Sequence, residues 1–189
     1  MIHFIDFEVF KYNWLAIIAD PSREKISVIW DDPDRLLEYY NDFKNEIFCG
    51  YNIAHYDQYI FQSILCGFNP KEVNDFIIVD DKPGYRFSPL FRKFPLIVYD
   101  AMVKQRGLKQ LEGFMGHKIK ESGVSFDIDR PLTEDEKKEV EAYCLHDVDQ
   151  LMEVFMETKD DFDAHMMLIK TFELPLSYSS LICLLSSSG

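Results

Sequence analysis

Apolar positions open this chain in three short runs, each too brief for a helix. Ile2 to Phe10, Trp14 to Ala19 and Lys25 to Trp30 are rich in β-branched and aromatic residues, and Asp20-Pro21-Ser22 supplies a turn between the last two. That spacing predicts an antiparallel meander of three strands. The period then lengthens: Leu36, Leu37, Tyr40 and Phe43 recur at helical spacing after Asp31-Asp32-Pro33. Asp32 is placed to cap and Pro33 suits a first turn, so a helix is predicted over Asp34 to Phe43. A strand follows at Glu46 to Tyr51 and a helix at Asp57 to Leu65, with Gly67 and Pro70 closing it. Pro95 to Tyr99 reads as another strand, and a helix is expected around Leu108 to Met115.

Thr133-Glu134-Asp135-Glu136 is a capping box, in which the Thr133 hydroxyl and the Glu136 carboxylate satisfy free amides at a helix start. The helix it opens is predicted to run through Tyr143 and Asp147 to about Glu157, and a further one spans Asp160 to Phe172. The sum is an α/β fold: a mixed sheet, antiparallel meander then parallel strands, flanked by helices. No internal repeat or linker interrupts it.

Length and composition agree with this pattern. A chain of 189 residues that is 47% hydrophobic has material for one packed domain and little room for a second. No apolar run approaches the roughly 20 residues of a membrane span, and Asp6 and Glu8 interrupt the N-terminus where a signal peptide needs its apolar region. A soluble, cytoplasmic protein with no membrane partner is expected. Cys49, Cys66, Cys144 and Cys183 form no C-x-x-C pair and read as reduced core thiols.

The formal charge of -13 runs against phosphate binding, but its distribution changes the picture. Between Asp81 and Lys120 stand nine Lys or Arg (Lys82, Arg86, Arg92, Lys93, Lys104, Arg106, Lys109, Lys118, Lys120) against Asp81, Asp100 and Glu112. This segment is either a solvated surface or one wall of a groove that tracks a phosphate backbone.

Three carboxylate motifs carry the candidate chemistry. On a strand, side chains two apart share a face, so Asp6 and Glu8 present two carboxylates together while Ile5 and Phe7 point the other way. The flanking apolar residues make this a largely buried strand, and buried acids need partners. Asn52 and Asp57 bracket a strand-to-helix passage, where Asp57 is also placed to be an N-cap. Tyr143 and Asp147, four apart on a helix, share a face one turn from each other. Each motif alone is commonplace; their order and spacing are specific.

The ordered set resembles the DEDD superfamily of 3′-to-5′ exonucleases, whose motifs are Asp-x-Glu, Asn-x(2 or 3)-(Phe or Tyr)-Asp and Tyr-x(3)-Asp. Asp6/Glu8, Asn52/Tyr56/Asp57 and Tyr143/Asp147 match them, and Ala142 rather than His five before Asp147 is similar to the tyrosine subclass. Leu108-Lys109-Gln110-Leu111-Glu112 leading to Gly116 resembles a further family segment. The wider text around Asp6 to Tyr12, Gly50 to Gln58 and Tyr143 to Asp147 looks like the N-terminal proofreading region of bacteriophage or prophage DNA polymerases.

The resemblance implies a ribonuclease H-like fold over residues 1–175 and hydrolysis of single-stranded or frayed 3′ DNA ends to nucleoside 5′-monophosphates. Two divalent cations, Mg²⁺ or Mn²⁺, would be held by Asp6, Glu8, Asp57 and Asp147, all hard oxygen donors. Asp6 would bridge them, and Tyr143 would orient the attacking water rather than act as a strong base, given its reference pKa near 10. Asn52, Val9 and Phe10 would contact the terminal nucleotide; many relatives have Thr where Val9 stands, which leaves a backbone contact there. His146 and His55 are expected to pack or face solvent, and Phe61, Phe68, Trp14 and Trp30 mostly to fill the core.

Partners implied are nucleic acid and a polymerase domain or replisome. An exoribonuclease of the same superfamily and a non-catalytic nucleic-acid or polymerase-binding module are the alternatives. The Ser- and Leu-rich ending, within a tail of residues 176–189, fits either a short terminal helix or disordered end, or a truncated or frame-shifted prophage gene that keeps its nuclease domain.

Overall fold

The structure, a computed structural model, describes residues 1–102 and 123–178. Strands β1 (Ile2–Val9), β2 (Trp14–Ala19) and β3 (Ile26–Trp30) form the antiparallel meander, with Asp6 opposite Ile17 and Glu8 opposite Leu15. Helix α1 (Pro33–Phe43) then returns the chain to β4 (Ile47–Gly50), which lies parallel to β1. The Asp32 side chain accepts the Arg35 amide at 3.0 Å, so the cap and the first-turn proline both act at this start. Helices α2 (Asp57–Leu65) and α3 (Pro70–Ile78) precede β5 (Ile97–Asp100), the second parallel neighbour. The five-stranded sheet has the order β3-β2-β1-β4-β5 and is flanked by helices, which makes the chain α/β with a mixed sheet.

One expected boundary is corrected. Pro70 does not merely end the preceding helix: it occupies the first turn of α3, whose N-cap Asn69 accepts the Lys71 amide at 2.9 Å. A proline has no amide to lose at that position, so the same residue closes one helix and opens the next. The helix expected around Leu108 to Met115 and the chain from 179 onward lie outside the described residues.

The long helix α4 (Glu134–Glu157) begins at Thr133 with both bonds of the capping box formed, and α5 (Lys159–Thr171) follows it directly. Along α4, Val140, Cys144, Val148, Leu151 and Phe155 recur every three or four residues and are buried on one sheet face with Phe4, Phe10, Leu15 and Ile17. The opposite face buries Ile5, Phe7, Val9, Ala16 and Ile18 against residues of α1 and α2. With both faces covered, β2 is apolar at every position, and β1 is apolar except at His3, Asp6 and Glu8. His3 is buried with both ring nitrogens engaged, Nδ1 with the Tyr39 hydroxyl and Nε2 with the Glu46 carboxylate, each at 2.7 Å. No helix among the described residues is long and apolar enough to cross a membrane.

Candidate metal centre

Strand β1 is the middle of the sheet, and its alternation decides where its acids go. Phe4, Asp6, Glu8 and Phe10 share the face covered by α4, so two carboxylates sit between two buried aromatic rings. Glu8 is buried and Asp6 half-buried. From α4, Cys144 meets them, its thiol donating to Asp6 Oδ2 at 3.4 Å. Ligand atoms of Asp6, Glu8 and Cys144 all lie within 4.8 Å of one another. Tyr143 and Asp147 flank the same stripe of α4, and the Tyr143 hydroxyl hydrogen-bonds to Asp147.

Asp57 arrives from the other side. Parallel pairing of β1 with β4 stops at Phe4 opposite Cys49, while β1 continues to Val9 and so outruns this partner. The chain leaves β4 at Gly50, where a Cβ would stand 2.8 Å from Ile53 Cβ and 3.3 Å from the Ile5 carbonyl oxygen. It turns through Asn52, at φ 64°, whose carbonyl accepts the amides of His55 and Tyr56 at 3.0 and 3.1 Å. The turn delivers Asp57 into the first turn of α2, where it is buried. The residue before it, Tyr56, holds the N-cap position, so Asp57 is not the cap.

A residue that sequence reasoning missed secures this turn. Asp100, the last residue of β5, accepts the Asn52 amide at 2.9 Å, the Ala54 amide at 3.1 Å and the Met102 amide at 2.9 Å. An aspartate ending a buried strand is the only signal for it in the sequence. Cys144 is the core thiol expected, and in addition bonds to Asp6.

The acids share one field. Burial, then the charge of Asp147, raises the Asp6 carboxyl to about 7, while the Cys144 thiol and the Phe7 amide offset part of the rise. Burial, then the charge of Asp6, pushes Asp57 well above the ordinary carboxylate range. Tyr143 is pushed up by burial and by Asp147, and Cys144 by burial and by Asp6 and Glu8, so both keep their protons. Residues from β1, the start of α2 and α4 are thus close enough to bias one another's ionisation. A divalent cation fits such a site: it would supply the countercharge that buried carboxylates need. The Cys144 thiol donates to one of these carboxylates, Asp6.

The nucleotide contacts expected from the resemblance are placed differently from one another. Asn52 lies on the turn that leads to Asp57. Val9 and Phe10 are buried on opposite sheet faces, and the Phe10 amide donates to the Asn13 carbonyl at 2.8 Å, so their side chains serve the core. His55 is exposed and His146 half-buried; Phe61 and Trp14 are core, and Phe68 packs edge-on against Phe87. Of the basic segment, Lys82 pairs with Asp80 at 2.8 Å and Arg86, Arg92 and Lys93 are exposed. Lys104, Arg106, Lys109, Lys118 and Lys120 lie outside the described residues. No protein-family model, curated protein or solved structure matches the chain.

Proposed function

We propose that this chain is a metal-dependent 3′-to-5′ exonuclease of the tyrosine DEDD type, with a ribonuclease H-like fold, that hydrolyses single-stranded or frayed DNA ends. The observation that carries the reading is the meeting of Asp6 and Glu8 of β1 with α4, their carboxylate oxygens and the Cys144 sulfur lying within 4.8 Å of one another, with Asp147 and the buried Asp57 near enough to act on Asp6 or feel its charge. Few structural needs would draw several carboxylates from three separate elements into one partly buried cluster, since their mutual repulsion and desolvation oppose folding.

Asp6, Glu8, Asp57 and Asp147 would hold Mg²⁺ or Mn²⁺. Such ions supply a water nucleophile at neutral pH and relieve charge on the leaving oxygen. Asp6, whose carboxyl is raised by the charge of Asp147 and whose charge in turn raises Asp57, would be among the residues holding the ions. Cys144 fixes one of its oxygens from the helix side. Tyr143 stays protonated throughout the neutral range; with its proton donated in the hydrogen bond to Asp147, its hydroxyl oxygen can accept a hydrogen bond from water and orient it but cannot serve as a base there. Asp147, as acceptor of that hydroxyl, sets the direction in which Tyr143 points.

The test is release of mononucleotides from matched 3′-labelled DNA and RNA with Mn²⁺, run beside an Asp6→Ala, Glu8→Ala double variant. Release from DNA by the parent alone supports the proposal. Faster release from RNA moves the reading to an exoribonuclease. Binding without release by any metal-loaded preparation leaves a non-catalytic nucleic-acid module. Equal activity of parent and double variant refutes the assigned site. A polymerase acting with this domain belongs to the same proposal, and pull-down of a replisome component would test it.

A further inference from the structure

Just past the C-terminal end of β1 the surface holds a cleft of about 190 Å³ lined by Lys11, Lys71, Phe126, Asp127, Ile128 and Asp129. Phe126 is 45% exposed, an unusual position for a phenylalanine, yet one of its faces is fixed. Buried Phe10 stacks on it with ring centroids 5.0 Å apart and planes 14° from parallel. Phe10 lies two residues beyond Glu8 on the same sheet face, about 7 Å along an extended chain. The loop bearing Phe126 is tied to the β1–β2 turn by polar bonds. Asp129 pairs with Lys11 and accepts the Tyr12 hydroxyl at 3.1 Å, and the Leu132 amide donates to the Asn13 side chain at 2.8 Å.

We infer that Phe126 is a stacking platform for a nucleobase of the 3′-terminal dinucleotide, an inference that rests on the exonuclease reading and adds the base contact to it. The cleft gives a planar ring access to the exposed face of Phe126. Lys11 is paired with Asp129 and Lys71 with Asp75, and Asp127 adds a carboxylate, so the lining offers a phosphate no uncompensated positive charge and favours the uncharged base over the backbone. Stacking of this kind is sequence-tolerant, because every base offers a π face. The platform also gives buried Phe10 a role in binding: it holds Phe126 flat from behind.

Binding of a 5′-fluorescein-labelled oligo(dT) to the full chain is measured by anisotropy in EDTA, which prevents turnover. A second oligonucleotide carries abasic sites at its last two positions. Phe126→Ala is expected to weaken binding of oligo(dT) by about tenfold, to leave the abasic oligonucleotide unaffected, and to keep the parent's melting temperature within a degree or two. Phe126→Trp restores oligo(dT) binding. If the parent degrades DNA while Phe126→Ala affects both oligonucleotides equally, or neither, the platform is overturned and the exonuclease reading stands. If the parent neither binds nor degrades either oligonucleotide, both fall.

Discussion

The Asp100 carboxylate at the end of β5 accepts the backbone amide of Asn52 at 2.9 Å, linking the last parallel strand to the turn that delivers Asp57. The same carboxylate takes the amides of Ala54 and Met102, so a single side chain satisfies three donors that no strand or helix uses. Asp100→Ala is therefore expected to cost about 2–3 kcal/mol in urea unfolding, the scale for unmet donors. It should also lower the proposed exonuclease turnover, because the Asn52 turn and Asp57 lose their anchor. Unchanged stability would show that water replaces the carboxylate without penalty.

Stability of the metal-free protein is expected to depend on pH through Asp6. Its folded carboxyl titrates near 7, above the ordinary unfolded value of 3.8, so the folded state binds the extra proton between those limits. Stability therefore falls as pH rises from about 4 to about 7, with a slope of at most about 1.4 kcal/mol per pH unit for one proton. Asp6→Asn removes that contribution and should be more stable than the parent at pH 7 in EDTA. Urea titrations at pH 4.5 and 7 check this; a parent and variant with parallel pH profiles would contradict it.

Cations should reverse the same penalty. Mn²⁺ is expected to raise the melting temperature of the parent at pH 7 and to leave an Asp6→Ala, Glu8→Ala variant unmoved, since binding to the folded state alone stabilises it. Differential scanning fluorimetry across a Mn²⁺ series reads both, and equal shifts would place the ion elsewhere.

Gly50→Ala tests the close passage between β4 and the Asn52 turn. The added Cβ would stand 2.8 Å from Ile53 Cβ, a contact that relaxes only by moving the turn. A destabilisation of about 1–3 kcal/mol is expected, with a loss of activity. Wild-type activity in a destabilised Gly50→Ala protein would separate the turn from the site.

Cys144→Ser keeps a donor to Asp6 and Cys144→Val removes it at similar volume. The valine variant is expected to need several-fold more Mn²⁺ for half-maximal activity than the serine variant. Identical Mn²⁺ curves would reduce the Sγ to Oδ2 contact to packing.

Much of this protein was legible in its order of residues. The meander, the capped starts of α1 and α4, the shared face of Asp6 and Glu8, and the one-turn spacing of Tyr143 and Asp147 follow from local rules of period, capping and turn chemistry, which act over a few residues. Pro70 defeated those rules because one residue signals both an end and a beginning. The basic segment shows another limit, since composition says nothing about which side of a fold a charge will face.

What only the tertiary structure decided is long-range. Which α4 side chain meets Asp6, how β1 outruns its parallel partner, and which carboxylate pins the Asn52 turn all depend on sheet order and helix placement. Cys144 and Asp6 stand 138 residues apart, and Asp100 meets Asn52 only because β5 lies beside β4. Residues so distant in sequence carry no local pattern that announces contact; their energies depend on burial and on neighbouring charge, which exist only once the chain is packed.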